Sequence, residues 1–324
     1  MNPLTDAGDG ESPPADAQPV AVAAPFNLLA TARLLQRRPT NRVDVWDDGR
    51  YARLIDTDDG PRLLSVANLG AIDAPALRLE IAGGPTSAAT ARQAATAARW
   101  ILGLDAPPAP TAELADLEPR FGSVAAALRG FRPPCFPTLF ETCARVIPFQ
   151  QVSLDAGTAI VGRLVERFGA SRTIGGRDWF AFPPPAAIAE APLPALRDVG
   201  LSRAKAMSLQ AVAREALTGA LDAARVQALP TERALAELQA LPGIGPWSAG
   251  VILLRGLRRM DVFPTGDVGA ARNLPRLLGL DVAWSPDEAS AFAAGFGDRR
   301  GYLYFFGLGG QLLARGLLAP ADPD

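Results

Sequence analysis

Residues 241–250 read Leu241-Pro242-Gly243-Ile244-Gly245-Pro246-Trp247-Ser248-Ala249-Gly250. A helical stretch, Thr231–Ala240, precedes them, and Pro246 stands where a second helix begins, a position that proline suits. Two glycines separated by one apolar residue make a tight hairpin between the two helices. Glycine permits positive φ and lets backbone approach a ligand closely. The N–H groups of such a hairpin, with the positive end of the next helix, suit a phosphate. A dinucleotide-binding reading of the same glycines fails, because a helix precedes them and no βαβ unit follows. On spacing alone, a plain helix–turn–helix connection stays equally open.

Downstream comes Asp261-Val262-Phe263-Pro264-Thr265-Gly266-Asp267-Val268-Gly269. Asp267 follows a Pro-Thr-Gly turn and starts a new helix. Locally it reads as an N-cap; placed beside the hairpin it is a carboxylate next to a phosphate site, and the two readings are compatible. From Leu241 to Arg276 the arginines 255, 258, 259, 272 and 276 face only Asp261 and Asp267, on a chain whose net charge is −2. That local excess is either a solvated helix face or a surface for phosphates.

The composition excludes several chemistries. Among 324 residues there is no histidine, so imidazole bases, Ser-His or Cys-His nucleophiles and His-ligated zinc are out. Lys205 is the only lysine and follows Ala204, so no P-loop Gly-Lys pair exists. Cys135 and Cys143 are the only cysteines, too few for a four-cysteine zinc site or an iron–sulfur cluster. They are expected as buried thiols in a reducing compartment. Met1–Pro25 carries four acids and no base, unlike a secretory leader, and residues 1–24 are expected to be a disordered tail. No apolar run approaches membrane-spanning length. The expectation is a cytoplasmic protein with no membrane contact.

Outward from the hairpin, the chain divides in two. Residues 25–110 read as a small α+β domain: a helix over Pro25–Arg38, β-like segments at Asn41–Trp46, Tyr51–Asp56, Arg62–Asn68 and Ala76–Ala82, then a helix over Thr86–Leu102. Asp47-Asp48-Gly49 is a hairpin signal between the first two strands. Residues 111–324 read as all-helical. Ser153 caps one helix that ends at Gly169, Ser202–Leu217 forms another, Ser285–Glu288 fits a capping box, and Tyr302–Leu318 is a final apolar helix. The fold class expected is mostly α, a helical bundle preceded by an antiparallel-sheet domain.

These motifs together resemble the helix–hairpin–helix (HhH-GPD) DNA glycosylase superfamily, and within it most the bacterial DNA-3-methyladenine glycosylase II (AlkA) family. The spacing between hairpin and Asp267 is similar to that family's pattern. So is Phe140-Glu141-Thr142-Cys143-Ala144-Arg145-Val146-Ile147-Pro148-Phe149-Gln150-Gln151-Val152-Ser153, and so are Gly200-Leu201 with Arg203 and Lys205-Ala206, and Arg300-Gly301-Tyr302. The amino-terminal sheet domain also resembles the family's extra domain, so the likeness covers nearly everything after the tail.

The resemblance implies a monofunctional glycosylase that hydrolyses the N-glycosidic bond of alkylated purines in damaged double-stranded DNA by base flipping, in base-excision repair. It implies that Asp267 is catalytic, stabilising an oxocarbenium-like sugar. It implies DNA contacts from Gly243, Ile244, Gly245, Ser248, Arg272, Gln150 and Gln151, with Gln151 as the wedge that fills the vacated stack; by themselves the two glutamines read as a polar helix–loop junction. Lyase-competent relatives carry a lysine where this chain has Trp247, and Trp247 cannot form a Schiff base. Lys205 is expected to be structural or to touch phosphate. Trp247 matches an aromatic base-pocket position, a core tryptophan being the alternative. Val251 and Arg299 stand where the family pattern has a tyrosine and a tryptophan, with Phe136, Tyr302, Tyr304 and Phe296 as compensating aromatics. Main-chain carbonyls of Gln239, Leu241 and Ile244 match a monovalent-cation (sodium or potassium) cradle, and no other cofactor is implied. The sheet domain is expected to buttress the helices, and the protein to act as a monomer. Other lesions (hypoxanthine, uracil, an oxidised purine) and a non-catalytic DNA-binding role are the alternatives.

Overall fold

A computed structural model describes residues 16–319. The amino-terminal part comprises β1 (Asp16–Val20), α1 (Leu28–Gln36), β2 (Val45–Asp47), β3 (Arg50–Ile55), β4 (Arg62–Asn68), β5 (Leu77–Ala82) and α2 (Ala88–Leu102). Its strands form one antiparallel sheet in the order β1-β5-β4-β3-β2. At the β2–β3 turn, Asp48 (φ 45°) and Gly49 (φ 71°) are both left-handed, the pair that a two-residue hairpin needs to match strand twist. In β5 Leu77, Leu79 and Ile81 point inward while Arg78 and Glu80 are only partly buried, the period-two signature of a half-covered sheet. Helix α2, capped by Ser87, lays Ala94, Ala98 and Ile101 into the same core.

Two expectations change here. The tail was expected to run through residue 24, but Asp16–Val20 pairs with β5 as an edge strand; Gln-Pro-Val alternation suffices once a partner strand offers hydrogen bonds. Residues 1–15 of the expected tail lie outside the described residues. The strand expected over Asn41–Trp46 narrows to Val45–Asp47, because the Asn41 side chain accepts from Val43 N and Asp44 N and forms a local turn instead.

The rest comprises α3 (Thr111–Leu117), α4 (Gly122–Ala127), α5 (Leu139–Phe149), α6 (Leu154–Phe168), β6 (Ser171–Ile174), β7 (Arg177–Phe180), α7 (Pro185–Ala189), α8 (Leu193–Asp198), α9 (Arg203–Leu217), α10 (Ala223–Gln227), α11 (Thr231–Gln239), α12 (Pro246–Leu257), α13 (Val268–Leu277), α14 (Pro286–Ala294) and α15 (Tyr302–Leu313). The fold is mostly α, a helical bundle with a small antiparallel sheet before it. The region is not all-helical: β6 and β7 pair across Gly175-Gly176, both left-handed. Trp179 and Ala181, at that hairpin, bury against Val45, Leu54 and Leu63 of the sheet. The bundle holds two cores. One joins α5, α9 and α12 through Cys143, Leu209 and Ile252. The other joins α4, α13 and α15 through Val124, Leu274 and Phe306, and takes in Ala30 and Leu34 of α1. The sheet part therefore supplies a helix to the second core, so residues 25–110 do not pack as a free-standing unit. No helix among the described residues is long and apolar enough to cross a membrane.

Candidate functional site

The turn between α11 and α12 is the expected hairpin. Gly243 has φ +79°, and a Cβ built on it would stand 2.2 Å from Ser208 Oγ on α9. Glycine is required there twice, by conformation and by space. Ile244 turns its side chain into the core, and its N–H donates to Leu241 O at 3.1 Å. Gly245 is the N-cap of α12 and offers no side-chain cap, and Pro246 is the first helical residue. The first-turn N–H groups of α12 thus lack the side-chain acceptor that Ser153, Ser202 and Ser285 give their own helices. An outside anion satisfies such groups and meets the positive end of the helix dipole.

Asp267 is 7% exposed. Its Oδ1 accepts from Ala270 N at 2.7 Å, and its Oδ2 accepts from Trp247 Nε1 at 2.9 Å. Both local readings of this residue hold at once: it caps α13, and it sits beside the hairpin helix. Trp247 is half-buried, packed on the first core, so its ring body is a core residue while its N–H orients the carboxylate. Neither the pairing nor its direction follows from spacing alone.

Two glycines hold the Asp267 loop in place. A Cβ on Gly250, one turn after Trp247, would stand 2.9 Å from Pro264 Cα. A Cβ on Gly301 would stand 2.8 Å from both Met260 O and Val262 O, and Gly301 N donates to Met260 O at 2.7 Å. The segment Met260–Pro264 is therefore gripped between α12 and the start of α15. That explains physically why glycine stands at the end of the hairpin stretch and in Arg300-Gly301-Tyr302.

Gln150 is drawn to the hairpin. Its Nε2 donates to Gly243 O at 2.8 Å and Ser248 Oγ at 3.0 Å, and Ser248 is buried. Gln151 is exposed with φ +56°, and Val152 beside it is 38% exposed. Lys205 Nζ donates to Pro148 O at 3.1 Å and Gln150 O at 2.6 Å, and burial pulls its pKa below the usual lysine range. The only lysine of the chain is thus a carbonyl clamp under the Gln150–Gln151 loop.

The expected base pocket is assembled differently from its sequence reading. Val251 is 5% exposed and belongs to the first core. Phe136 is buried between the guanidinium groups of Arg145 (4.4 Å) and Arg255 (4.8 Å). Arg299 is exposed and pairs with Glu113 at 2.6 Å. Tyr302 and Phe296 are half-buried against the second core, and burial raises the Tyr302 hydroxyl pKa. Tyr304 touches both cores and meets Phe305 edge-on at 5.5 Å.

The basic excess over residues 241–276 also resolves. Arg255 is buried and, among the described residues, has no carboxylate partner and no hydrogen-bond acceptor for its Nε and Nη2; desolvation lowers its pKa to about 10. Arg258 stacks on Trp100 and bonds Pro133 O, and Arg259 pairs with Asp261. Arg272 and Arg276 are the two exposed ones. Most of that stretch's arginines therefore hold structure. Gln239 is exposed, and the Leu241 carbonyl already accepts the Ile244 N–H.

Comparison with known proteins gives three results. Residues 144–295 match the family model described as the HhH-GPD superfamily base excision DNA repair protein. Among curated proteins, the chain is 28% identical over 61% of its length to a DNA-3-methyladenine glycosylase of Bacillus subtilis (strain 168), covering 65% of that protein. It is 32% identical over 51% of its length to DNA-3-methyladenine glycosylase 2 of Escherichia coli (strain K12), covering 59% of it. The matches span less than two thirds of both relatives. Among solved structures, the fold is similar to a 3-methyladenine DNA-glycosylase from Archaeoglobus fulgidus, with TM-score 0.75, 23% identity and coverage of 91% of this chain and 99% of that one.

Proposed function

We propose that this chain, a member of the HhH-GPD superfamily of base excision DNA repair proteins, is a DNA glycosylase that releases alkylated purines of the 3-methyladenine and 7-methylguanine type from duplex DNA. The observation that carries this reading is Asp267, a nearly buried carboxylate fixed by two hydrogen bonds beside a hairpin whose helix start lacks a cap. A non-catalytic phosphate binder gains nothing from a fixed negative charge at that place.

The chemistry follows from that charge. As the N-glycosidic bond breaks, the anomeric carbon becomes cationic, and a preorganised carboxylate in a water-poor site opposes that charge without reorganising. An N3- or N7-alkylated purine already carries positive charge and departs without a strong general acid, which suits a chain with no histidine. The target base is buried in the duplex and must be turned out to reach Asp267. In this reading Gln151, on an exposed left-handed turn, and its exposed neighbour Val152 fill the gap, and the hairpin N–H groups, with Arg272, hold phosphate; the exposure of both side chains supports that role. Main-chain carbonyls of Gln239, Leu241 and Ile244 are hard oxygen donors, the class that sodium or potassium takes, and a cation there would add positive charge at the phosphate.

No lyase step is expected. Trp247 stands on the hairpin helix where it offers no amine, and the Lys205 ammonium is spent on two carbonyls. The chain is expected to act as a monomer on one lesion. The test is base release from a duplex carrying one 3-methyladenine or its stable analogue. Strand breaks only after alkali support the reading; no release despite salt-sensitive DNA binding overturns it. Lys205→Met is expected to keep base release within about tenfold, and borohydride is expected to trap no protein–DNA adduct with either form.

A second reading has its own support. Val251 and Arg299, which stand where the family pattern has a tyrosine and a tryptophan, offer no π face; Val251 is buried in the core and Arg299 pairs with Glu113. A cationic base gains from stacked π faces, so fewer of them favour a neutral lesion such as hypoxanthine, uracil or an oxidised purine. A panel of those lesions in the same duplex separates the two.

A further inference from the structure

Glu141 and Arg145 lie one turn apart on α5, both buried, and reach across to the sheet. Arg53, on β3, donates through Nη2 to Glu141 and through Nη1 to Asp44 Oδ1 at 3.0 Å. Arg145 donates through Nε to Glu141 Oε1 at 2.7 Å and stands 2.9 Å from Asp44 Oδ2, an ion pair without hydrogen-bond alignment. The Tyr51 hydroxyl donates to Asp44 Oδ1 at 2.8 Å. Two acids and two bases thus close a ring, with no member more than 6% exposed. Burial alone would push Asp44 up, but Arg145 and Arg53 outweigh it and keep the carboxylate charged.

Such a ring is a poor source of stability. Desolvating four charges costs about what their attraction returns, and well-packed apolar groups often do as well. What it supplies is geometry: each guanidinium meets two carboxylates, so α5 has one rotational and axial setting against the sheet. From Glu141 to Gln150, α5 runs about 13 Å as a rod. At its far end Lys205 grips Pro148 O and Gln150 O, Gln150 grips the hairpin, and Gln151 turns left-handed.

We infer that the Asp44–Arg53–Glu141–Arg145 ring is a positioning element for DNA insertion: it fixes α5 against the sheet and so sets the height at which Gln151 and Val152 stand over the hairpin. None of the four touches a reacting atom. The inference rests on the glycosylase reading, and its role is to unstack the target base rather than to break the bond.

The test uses two double variants that keep the ring's charge balanced, Arg53→Met with Glu141→Gln, and Asp44→Asn with Arg145→Met. Each severs one of the two links to the sheet. Single-turnover base release is measured for one lesion in a fully paired duplex and for the same lesion opposite an abasic site, where no pairing must be broken. The expected result is a 10- to 100-fold loss on the paired duplex and less than threefold on the other. In parallel, 2-aminopurine placed next to the lesion is expected to brighten less on binding the variants than on binding the unaltered protein. Equal losses on both duplexes, or none on either, overturn the inference. Should one double variant fail to fold, the other and Arg53→Lys carry the same comparison. The fluorescence arm reads unstacking without any base release. If the unaltered protein releases no base, the glycosylase reading falls while the ring's role is still decided.

Discussion

Asp267→Asn is expected to slow base release by at least about 1,000-fold, on the scale of removing a principal electrostatic contact in a transition state. Asparagine keeps the shape of the side chain, so the comparison isolates charge. Its oxygen still caps Ala270 N–H, but the amide nitrogen then faces Trp247 Nε1, donor against donor. One hydrogen bond is lost, at about 1 kcal/mol, which a small fall in melting temperature reads. DNA affinity is expected to hold or rise slightly, because a negative charge beside phosphates is removed. Single-turnover kinetics at saturating enzyme separates the step from binding. Asp267→Ala, which removes the cap as well, is expected to match the kinetic loss with a larger stability loss. Base release at an undiminished rate in Asp267→Asn would sink the catalytic assignment.

Much of this site was legible because its signals are local. Gly243 of the hairpin, Gly266 of the Pro-Thr-Gly-Asp turn and the Asp48-Gly49 strand turn each need a left-handed backbone that few residues adopt, and those residues announce it. The glycine pair at Gly175-Gly176 carries the same signal, yet it sat inside a region read as helical, and the β6–β7 hairpin was missed. The resemblance added what spacing lacked, an expected chemistry for Asp267. What stayed hidden depends on long-range packing. Arg255 and Arg258 look like surface charge in the sequence, yet Arg255 is buried and Arg258 half-buried, both against aromatic rings. Val251 looks like a pocket position and is core. Glu141 and Arg145 are visible as a motif, but their partners lie almost a hundred residues earlier, Arg53 on β3 and Asp44 in the turn just before β2. No helical or strand periodicity reports a contact of that range.

The two hairpin glycines are expected to fail differently, and the difference identifies which one faces a ligand. Gly243→Ala puts a side chain at φ +79°, which costs about 1–2 kcal/mol for an L-residue. Its Cβ also meets Ser208 Oγ at 2.2 Å and Ser208 Cβ at 2.6 Å. The turn must move away from α9, and the Gly243 carbonyl then leaves Gln150. Both melting temperature and DNA affinity are expected to fall, the affinity by about 10- to 100-fold, as one or two phosphate contacts are lost from the salt dependence. Gly245 has φ −90° and ψ −178°, ordinary for alanine, and a Cβ there meets nothing within 4 Å. Among the described residues, nothing demands glycine at that position. Gly245→Ala is therefore expected to leave the melting temperature within about 2 °C. Its methyl group stands at the uncapped start of α12, where a phosphate has to come within hydrogen-bond distance of backbone N–H groups. A loss of about tenfold or more in DNA affinity, with stability kept, would mean that the reason for this glycine is outside the chain. Unchanged affinity in Gly245→Ala, measured by titration at several salt concentrations, would move the phosphate contact away from the helix start and leave the hairpin as a structural turn.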